Sequence, residues 1–142
     1  MNELSVNIQH TLHAPIETVF DAWLNPELLS QFILPMSGMA HPKVEIEAKQ
    51  GGKFTIIMQV GDQKIPHTGE YIEVDRPNKL VFTWVSPATS DDSTVTLNFK
   101  AMSSNTTEIH LSHVTFPDEQ SRSSHEGGWS NILSSLAKLI SE

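Results

Sequence analysis

The sequence contains no cysteine among its 142 residues. That absence excludes disulfide bonds, thiolate nucleophiles and cysteine-based zinc sites. Basic residues are also few, since nine Lys and Arg stand against 17 Asp and Glu, for a formal net charge of −8. Because a chain this acidic repels phosphate backbones, we do not expect nucleic acid to be a partner.

Long apolar runs are missing as well. No stretch approaches the ~20 apolar residues that cross a bilayer, so we expect no membrane span. The first six residues, Met1 to Val6, lack the basic and apolar regions of a secretory signal, which predicts a cytoplasmic protein. No repeat, linker or low-complexity block divides the chain, and its length suits one core. We therefore expect a single domain over residues 1–142.

Known catalytic motifs are absent too. The sequence has no Gly-x-Ser-x-Gly elbow, no phosphate-binding glycine loop with lysine, and no His-Glu-x-x-His. The spacing of three in His10 with His13, and in His110 with His113, places the partners on opposite faces of a strand, which disfavours a shared metal. We predict no metal, no cofactor and no catalytic residue, and we favour a binding protein over an enzyme.

Alternation of apolar and polar residues is the main signal that is present. It predicts a first strand over residues 4–12 and further strands over residues 44–46, 53–60, 64–74, 80–84, 93–102 and 107–113. Gly69 marks a bulge or bend inside one of them. Two short helices are predicted between the first and second strands, at residues 14–23 and 27–32, since Pro15 suits a first helical turn.

The last predicted element is a helix that starts near Asp118. Its apolar stripe follows helical spacing and consists of Trp129, Ile132, Leu133, Leu136, Leu139 and Ile140. This stripe needs an apolar partner, and the strands before it predict a curved antiparallel sheet in that place. Gly127-Gly128 weakens a helix by up to about 1 kcal/mol per glycine. Either the backbone approaches the short helices closely there, or the helix breaks and starts anew.

Three motifs in this order resemble a known family. They are Ala14-Pro15-x-x-x-Val19-Phe20-x-Ala22-Trp23 followed by Asn25-Pro26-Glu27, then Asp75-Arg76-Pro77-x-x-Leu80-Val81-Phe82-Thr83-Trp84, then His125-x-x-Gly128-Trp129. The set is similar to that of the homologues of the activator of the Hsp90 ATPase (AHSA1-like proteins). That family lies in the START-like, or Bet v 1-like, superfamily (SRPBCC).

The resemblance implies an α+β helix-grip fold. In such a fold a curved seven-stranded antiparallel sheet wraps around a long C-terminal helix, and two short helices after the first strand close one end. The resemblance also implies an apolar cavity between sheet and helix, which in this superfamily often holds lipids or other small molecules. The candidate cavity residues share an inward-facing position: Trp23, Phe32, Phe54, Ile56, Met58, Tyr71, Phe82, Trp84, Leu97, Phe99, Leu111, His113, Trp129, Leu133 and Leu136.

Polar side chains on the apolar strand faces leave two interpretations open. His10 and His113 both lie on such faces, and the resemblance places the first and last strands side by side, so the two rings are expected near each other. They are either structural histidines at the cavity rim or proton-transfer groups inside it. His67 and Tyr71 share one face of a strand, and the same alternatives apply to them. His125 is expected to anchor the start of the last helix.

Three function classes follow. We expect a protein that binds a small apolar or amphipathic molecule between the sheet and the C-terminal helix, as a monomer or homodimer. The alternative is a stress-related co-chaperone that contacts an Hsp90-type protein, and it depends on the resemblance. A cyclase- or hydrolase-like enzyme that uses His10, His113 or Tyr71 is the third class.

Overall fold

The structure is a computed structural model and describes residues 4–33, 42–60, 62–86, 93–116 and 118–140. All the predicted helices and strands are confirmed, and their bounds agree with the prediction to within two residues. In chain order they are β1 (Ser5–Leu12), α1 (Ile16–Ala22), α2 (Pro26–Phe32), β2 (Lys43–Ile46), β3 (Lys53–Val60), β4 (Gln63–Asp75), β5 (Lys79–Thr83), β6 (Thr94–Ser103), β7 (Thr106–Val114) and α3 (Glu119–Ile140).

The strands form one seven-stranded sheet in the order β1-β7-β6-β5-β4-β3-β2, and each neighbouring pair is antiparallel. The first strand joins the last, since Ser5 lies opposite Val114. Alternate residues of each strand face the interior, as their period of two requires. The sheet, the long α3 and the two short helices after β1 form the α+β helix-grip fold that the resemblance implied.

One stripe of α3 packs into the core. Trp129, Ile132, Leu133 and Leu136 are buried, as the helical spacing predicted. The helix runs without a break through the two glycines. A Cβ atom added at Gly127 would meet nothing within 4 Å. Both predicted explanations are therefore wrong at Gly127, because the helix neither breaks nor makes a close backbone approach there.

Gly69 in β4 is required by a close approach. A Cβ atom at this position would collide with the carbonyl oxygen of Thr83 and with the ring of Phe54. The register irregularity of β4 lies slightly further along the strand, between Tyr71 and Glu73. Gly69 therefore lets the strand bend over Phe54, and the bulge comes after it.

The short helices are fixed at their ends by polar contacts. The side chain of Asn25 caps α2, since its Oδ1 accepts from the backbone N–H groups of Glu27 at 3.0 Å and Leu28 at 3.1 Å. The guanidinium of Arg76, just after β4, donates two hydrogen bonds of 2.7 and 2.8 Å to the carboxylate of Asp21 in α1. The Arg76 contact joins α1 to the end of β4, and the Asn25 contacts fix the start of α2.

Candidate functional site: an aromatic cavity and a histidine network

A small cavity lies between the short helices and the middle of the sheet. We call it the aromatic cavity. Its wall consists of Trp23, Leu29, Ile33, Phe54, Ile56, Tyr71, Leu80, Phe82 and Trp84. The cavity volume is about 20 Å³. Since a single water molecule needs roughly 10–15 Å³ measured in this way, there is room for about one water.

Four aromatic rings of the sheet form a contiguous part of this wall. The ring of Phe54 lies at the centre, with centroid distances of 5.4 Å to Tyr71, 5.6 Å to Phe82 and 6.1 Å to Trp84. Phe54 meets Phe82 edge to face, a geometry that aromatic pairs prefer. All four side chains are buried. The sheet side of the cavity is therefore a packed aromatic surface.

The polar atoms of the cavity wall are neutral. Trp23 is 2% exposed, and its Nε1–H has no hydrogen-bond partner among the residues that the structure describes. An indole nitrogen can only donate, so this buried group lacks an acceptor. Burial raises the pKa of Tyr71, which keeps its hydroxyl protonated. The cavity thus presents apolar surface with neutral hydrogen-bond donors.

A chain of hydrogen bonds joins Trp129, His113 and Ser93. We call these three residues the His113 network. Trp129 Nε1–H donates to Nδ1 of His113 at 2.9 Å. Because indole only donates, Nδ1 carries no proton, so the neutral ring bears its proton on Nε2 and donates it to Ser93 Oγ. A base that activates a serine must instead accept the hydroxyl proton. In this arrangement His113 does not activate Ser93.

The network is closed off by further rings. The ring of His113 lies 4.4 Å from that of Phe116 and 5.3 Å from that of His125. Burial, followed by the nearby His125, lowers the pKa of His113 to about 3. His125 Nδ1–H donates to the carbonyl oxygen of Ser121, one turn earlier in α3, at 2.8 Å. These contacts agree with the expected role of His125 as an anchor for the start of α3.

The sequence and the fold are both similar to those of known proteins. The sequence matches the family model described as Activator of Hsp90 ATPase homolog 1-like protein over residues 13–141. The chain belongs to this family. No curated protein matches the sequence.

Solved structures of the same fold cover almost the whole chain. A Chromobacterium violaceum protein is 20% identical with a TM-score of 0.83, and the match covers 98% of each chain. The AHSA1-like protein from Aeromonas hydrophila is 20% identical with a TM-score of 0.81, and the match covers 96% of this chain and 91% of the other. An HSP90 activator from Plasmodium falciparum is 23% identical with a TM-score of 0.78, and the match covers 96% of each chain. At these identities the likeness shows the fold.

In this member of the activator of Hsp90 ATPase homolog 1-like family, all fifteen predicted cavity residues are buried. Those that line the aromatic cavity are Trp23, Phe54, Ile56, Tyr71, Phe82 and Trp84. The others pack elsewhere in the core: Phe32, Met58, Leu97, Phe99, Leu111, His113, Trp129, Leu133 and Leu136. The helical side of this cavity therefore consists of Trp23 at the end of α1 and of Leu29 and Ile33 in and after α2. The predicted residues of α3, Trp129, Leu133 and Leu136, do not line it.

Sequence reasoning missed three members of the cavity wall. Leu80 has the same strand parity as Phe82, which was predicted, so alternation alone was enough to find it. Leu29 lies in α2 and Ile33 follows four residues later as the C-cap of that helix. Their spacing was visible, but Phe32 was the residue of α2 that the sequence predicted in the cavity.

The structure does not bring His10 and His113 together. His10 lies opposite Ile109 and His113 lies opposite Val6, four residues further along β1. At about 3.3 Å per residue this separates them by roughly 13 Å along the strand. His67 is half-buried, and its ring lies 5.0 Å from that of Trp84. Burial lowers the pKa of His67 to about 4.

The described ranges contain neither a metal-binding cluster nor a membrane-spanning helix. Across those residues, no three His, Asp or Glu side chains are grouped so that they could hold a metal ion. None of the described helices has the length and apolarity needed to cross a membrane.

Proposed function

We propose that this protein binds a small, largely apolar molecule in the aromatic cavity. The observation that carries the proposal is the wall itself, which consists of nine apolar or aromatic side chains. One of them is Trp23, whose buried Nε1–H has no hydrogen-bond partner among the described residues. Pockets for small molecules are mostly apolar and contain a few polar groups that fix orientation. The family membership supports a ligand-binding function of this general kind.

The volume of the cavity sets a condition on binding. Since about 20 Å³ holds one water, an organic ligand needs an enlarged cavity. Trp23, Leu29 and Ile33 form the helical side of the wall, and the ligand displaces them from the sheet. The ligand then binds a minor open state of the protein. The apparent affinity is therefore the affinity of the open state multiplied by the fraction of molecules that are open.

Tryptophan fluorescence tests this proposal. Trp23 and Trp84 line the cavity, and Trp129 lies 5.0 Å from Trp84, so all three report on the site. Titration with sterols, fatty acids and neutral aromatic compounds should give a saturable change with one class. A flat response from all of them, in protein shown to be folded, would contradict the proposal.

Two overpacked variants locate the binding site. Leu80→Phe adds volume to the cavity wall, whereas Leu111→Phe adds the same volume at a buried position of β7 outside that wall. Overpacking costs about 1–3 kcal/mol in either case, so general strain is matched. We expect Leu80→Phe to abolish the fluorescence change and Leu111→Phe to retain it. The reverse pattern would place the site elsewhere in the core.

A second candidate is a co-chaperone that contacts an Hsp90-type protein. The family match and the likeness to the HSP90 activator from Plasmodium falciparum favour it. The test is the ATPase rate of an Hsp90-type chaperone with and without this protein. An increase that Leu80→Phe leaves unchanged would support contact through the surface, and no increase at saturating protein would remove this candidate.

A further inference from the structure

The wall of the aromatic cavity includes a hydrogen-bond donor, Nε1 of Trp23, that the described residues leave unused. Trp23 Nε1 is fully buried and has no partner among them. Buried indole N–H groups usually find an acceptor, so an unmet one is uncommon. By contrast, the equally buried Trp129 donates to His113. The orphan donor therefore belongs to the cavity and not to the fold in general.

A water molecule is a poor partner for this donor. The cavity holds about one water, and a buried water usually makes about three hydrogen bonds. The side-chain polar atoms of the wall belong to Trp23, Tyr71 and Trp84. Two of these are indoles, which only donate, so the two hydrogens of a water find one side-chain acceptor, the oxygen of Tyr71. An oxygen that only accepts fits the wall better.

Charge also restricts the ligand. None of the nine residues that line the cavity carries a charge. A carboxylate moved into this wall would lose its hydration without gaining a cation, which is costly. The overall charge of −8 repels anions as well.

We infer that the cavity selects a neutral, apolar ring compound with one hydrogen-bond-accepting oxygen, such as a ketone, ester or ether, bound at Nε1 of Trp23. This inference rests on the proposed function, because it requires that the cavity opens to a ligand. It adds to that function the chemical class of the ligand and the residue that distinguishes it.

Three probes of nearly equal shape test the inference: acetophenone, isopropylbenzene and benzoate. The first presents a neutral acceptor, the second no polar group and the third a charge. Binding is followed by the indole N–H signals of the ¹⁵N-labelled protein, which has three tryptophans. We expect acetophenone to bind about tenfold more tightly than isopropylbenzene, as one added hydrogen bond allows. Benzoate should bind more weakly than either.

The indole N–H signal of Trp23 can be followed in the wild-type protein. This readout therefore does not depend on whether a variant folds. Acetophenone should move the Trp23 indole proton downfield, and isopropylbenzene should not. Trp23→Phe should then bind both probes equally, while Tyr71→Phe, which removes a different neutral donor of the wall, should keep the preference. Loss of the preference in Tyr71→Phe alone would overturn the assignment to Trp23.

The remaining outcomes separate the two claims. If acetophenone and isopropylbenzene bind equally and the Trp23 signal moves with neither, the inference is overturned while apolar binding in the cavity stands. Tighter binding of benzoate than of acetophenone would overturn it too. If no probe binds the folded wild-type protein, both the inference and the proposed function fail.

Discussion

Trp129 and Trp23 are the same residue in two parts of one core, and they differ in one contact. They are 1% and 2% exposed, so their burial is equal. Trp129 donates to His113 and is part of a closed chain of hydrogen bonds, whereas Nε1 of Trp23 has no partner in the described part of the chain. The difference shows that the buried indole donor on α3 is satisfied within the fold, while the buried indole donor at the end of α1 is left without a partner by the described residues.

The largest expected effect on stability comes from removing the hydrogen bond between Trp129 and His113. Trp129→Phe removes the donor to Nδ1 of His113 and leaves a buried acceptor unpaired, which should cost about 3 kcal/mol in the free energy of unfolding. Trp23→Phe is the matched control, because it loses the same ring volume and no hydrogen bond to any described residue. It should cost about 1 kcal/mol. Urea unfolding measures both, and equal costs would contradict the comparison.

A second variant disturbs the cavity side through the backbone. Gly69→Ala places a Cβ atom against the carbonyl oxygen of Thr83 and the ring of Phe54, which forms part of the cavity wall. We expect a loss of about 2–3 kcal/mol in the free energy of unfolding. The indole signal of Trp84 should shift as Phe54 moves, and that of Trp129 should shift less. An unchanged stability would show that the strand accommodates the extra atom.

Acid should lower the stability that depends on the His113 network. The pKa of His113 lies at about 3 in the folded protein, below its ordinary value of 6.5, so the unfolded chain takes up a proton that the folded chain does not. Stability from this residue is complete above pH 6.5 and is lost as the pH falls below it. Between about pH 6.5 and about pH 5 the loss should be about 2 kcal/mol. His67 acts in the same direction, since burial lowers its pKa to about 4.

The test of this prediction is urea unfolding at about pH 7 and about pH 5, a range above the titration of most carboxylates. His113→Asn retains an acceptor for Trp129 and does not titrate there, so its free energy of unfolding should change less with pH than that of the wild type. Equal pH dependence in the two proteins would remove His113 as the source.

The smallest expected effect is a gain. Gly127→Ala adds a methyl group that meets nothing within 4 Å in the continuous α3. The higher helix propensity of alanine should raise the free energy of unfolding by up to about 1 kcal/mol. Ligand affinity at the aromatic cavity should stay the same, because Gly127 does not line it. A thermal melt measures the first effect, and a loss of stability would show that α3 needs a glycine there.

The fold could be predicted from local patterns. Alternation in β6, where Val95, Leu97 and Phe99 are buried, and helical spacing in α3 are properties of neighbouring residues. The pairing of the first strand with the last came from the family resemblance. Local patterns also identified which residues are buried, since every candidate cavity residue is in the core.

The position of the cavity could not be read from the same patterns. Burial is decided by the face of an element, but an unfilled volume depends on how Leu29 and Ile33, in and after α2, are placed relative to the side chains of β3, β4 and β5. Nor does the sequence show that Ser93 accepts from His113 or that Trp129 donates to it, because these partners are 20 and 16 residues apart and meet through strand register and helix rotation. Such contacts appear only when the elements are assembled.

The pairing of β1 with β7 has a consequence during synthesis. Ser5 lies opposite Val114, so the first strand to leave the ribosome waits for a partner that is roughly a hundred residues further along the chain. At about 5–20 residues per second this delay is about 5–20 s. Until then the apolar residues of β1, such as Val6 and Leu12, are without their final neighbours. Because every other pair in the sheet joins consecutive strands, β1 is the strand that waits longest for its partner during synthesis.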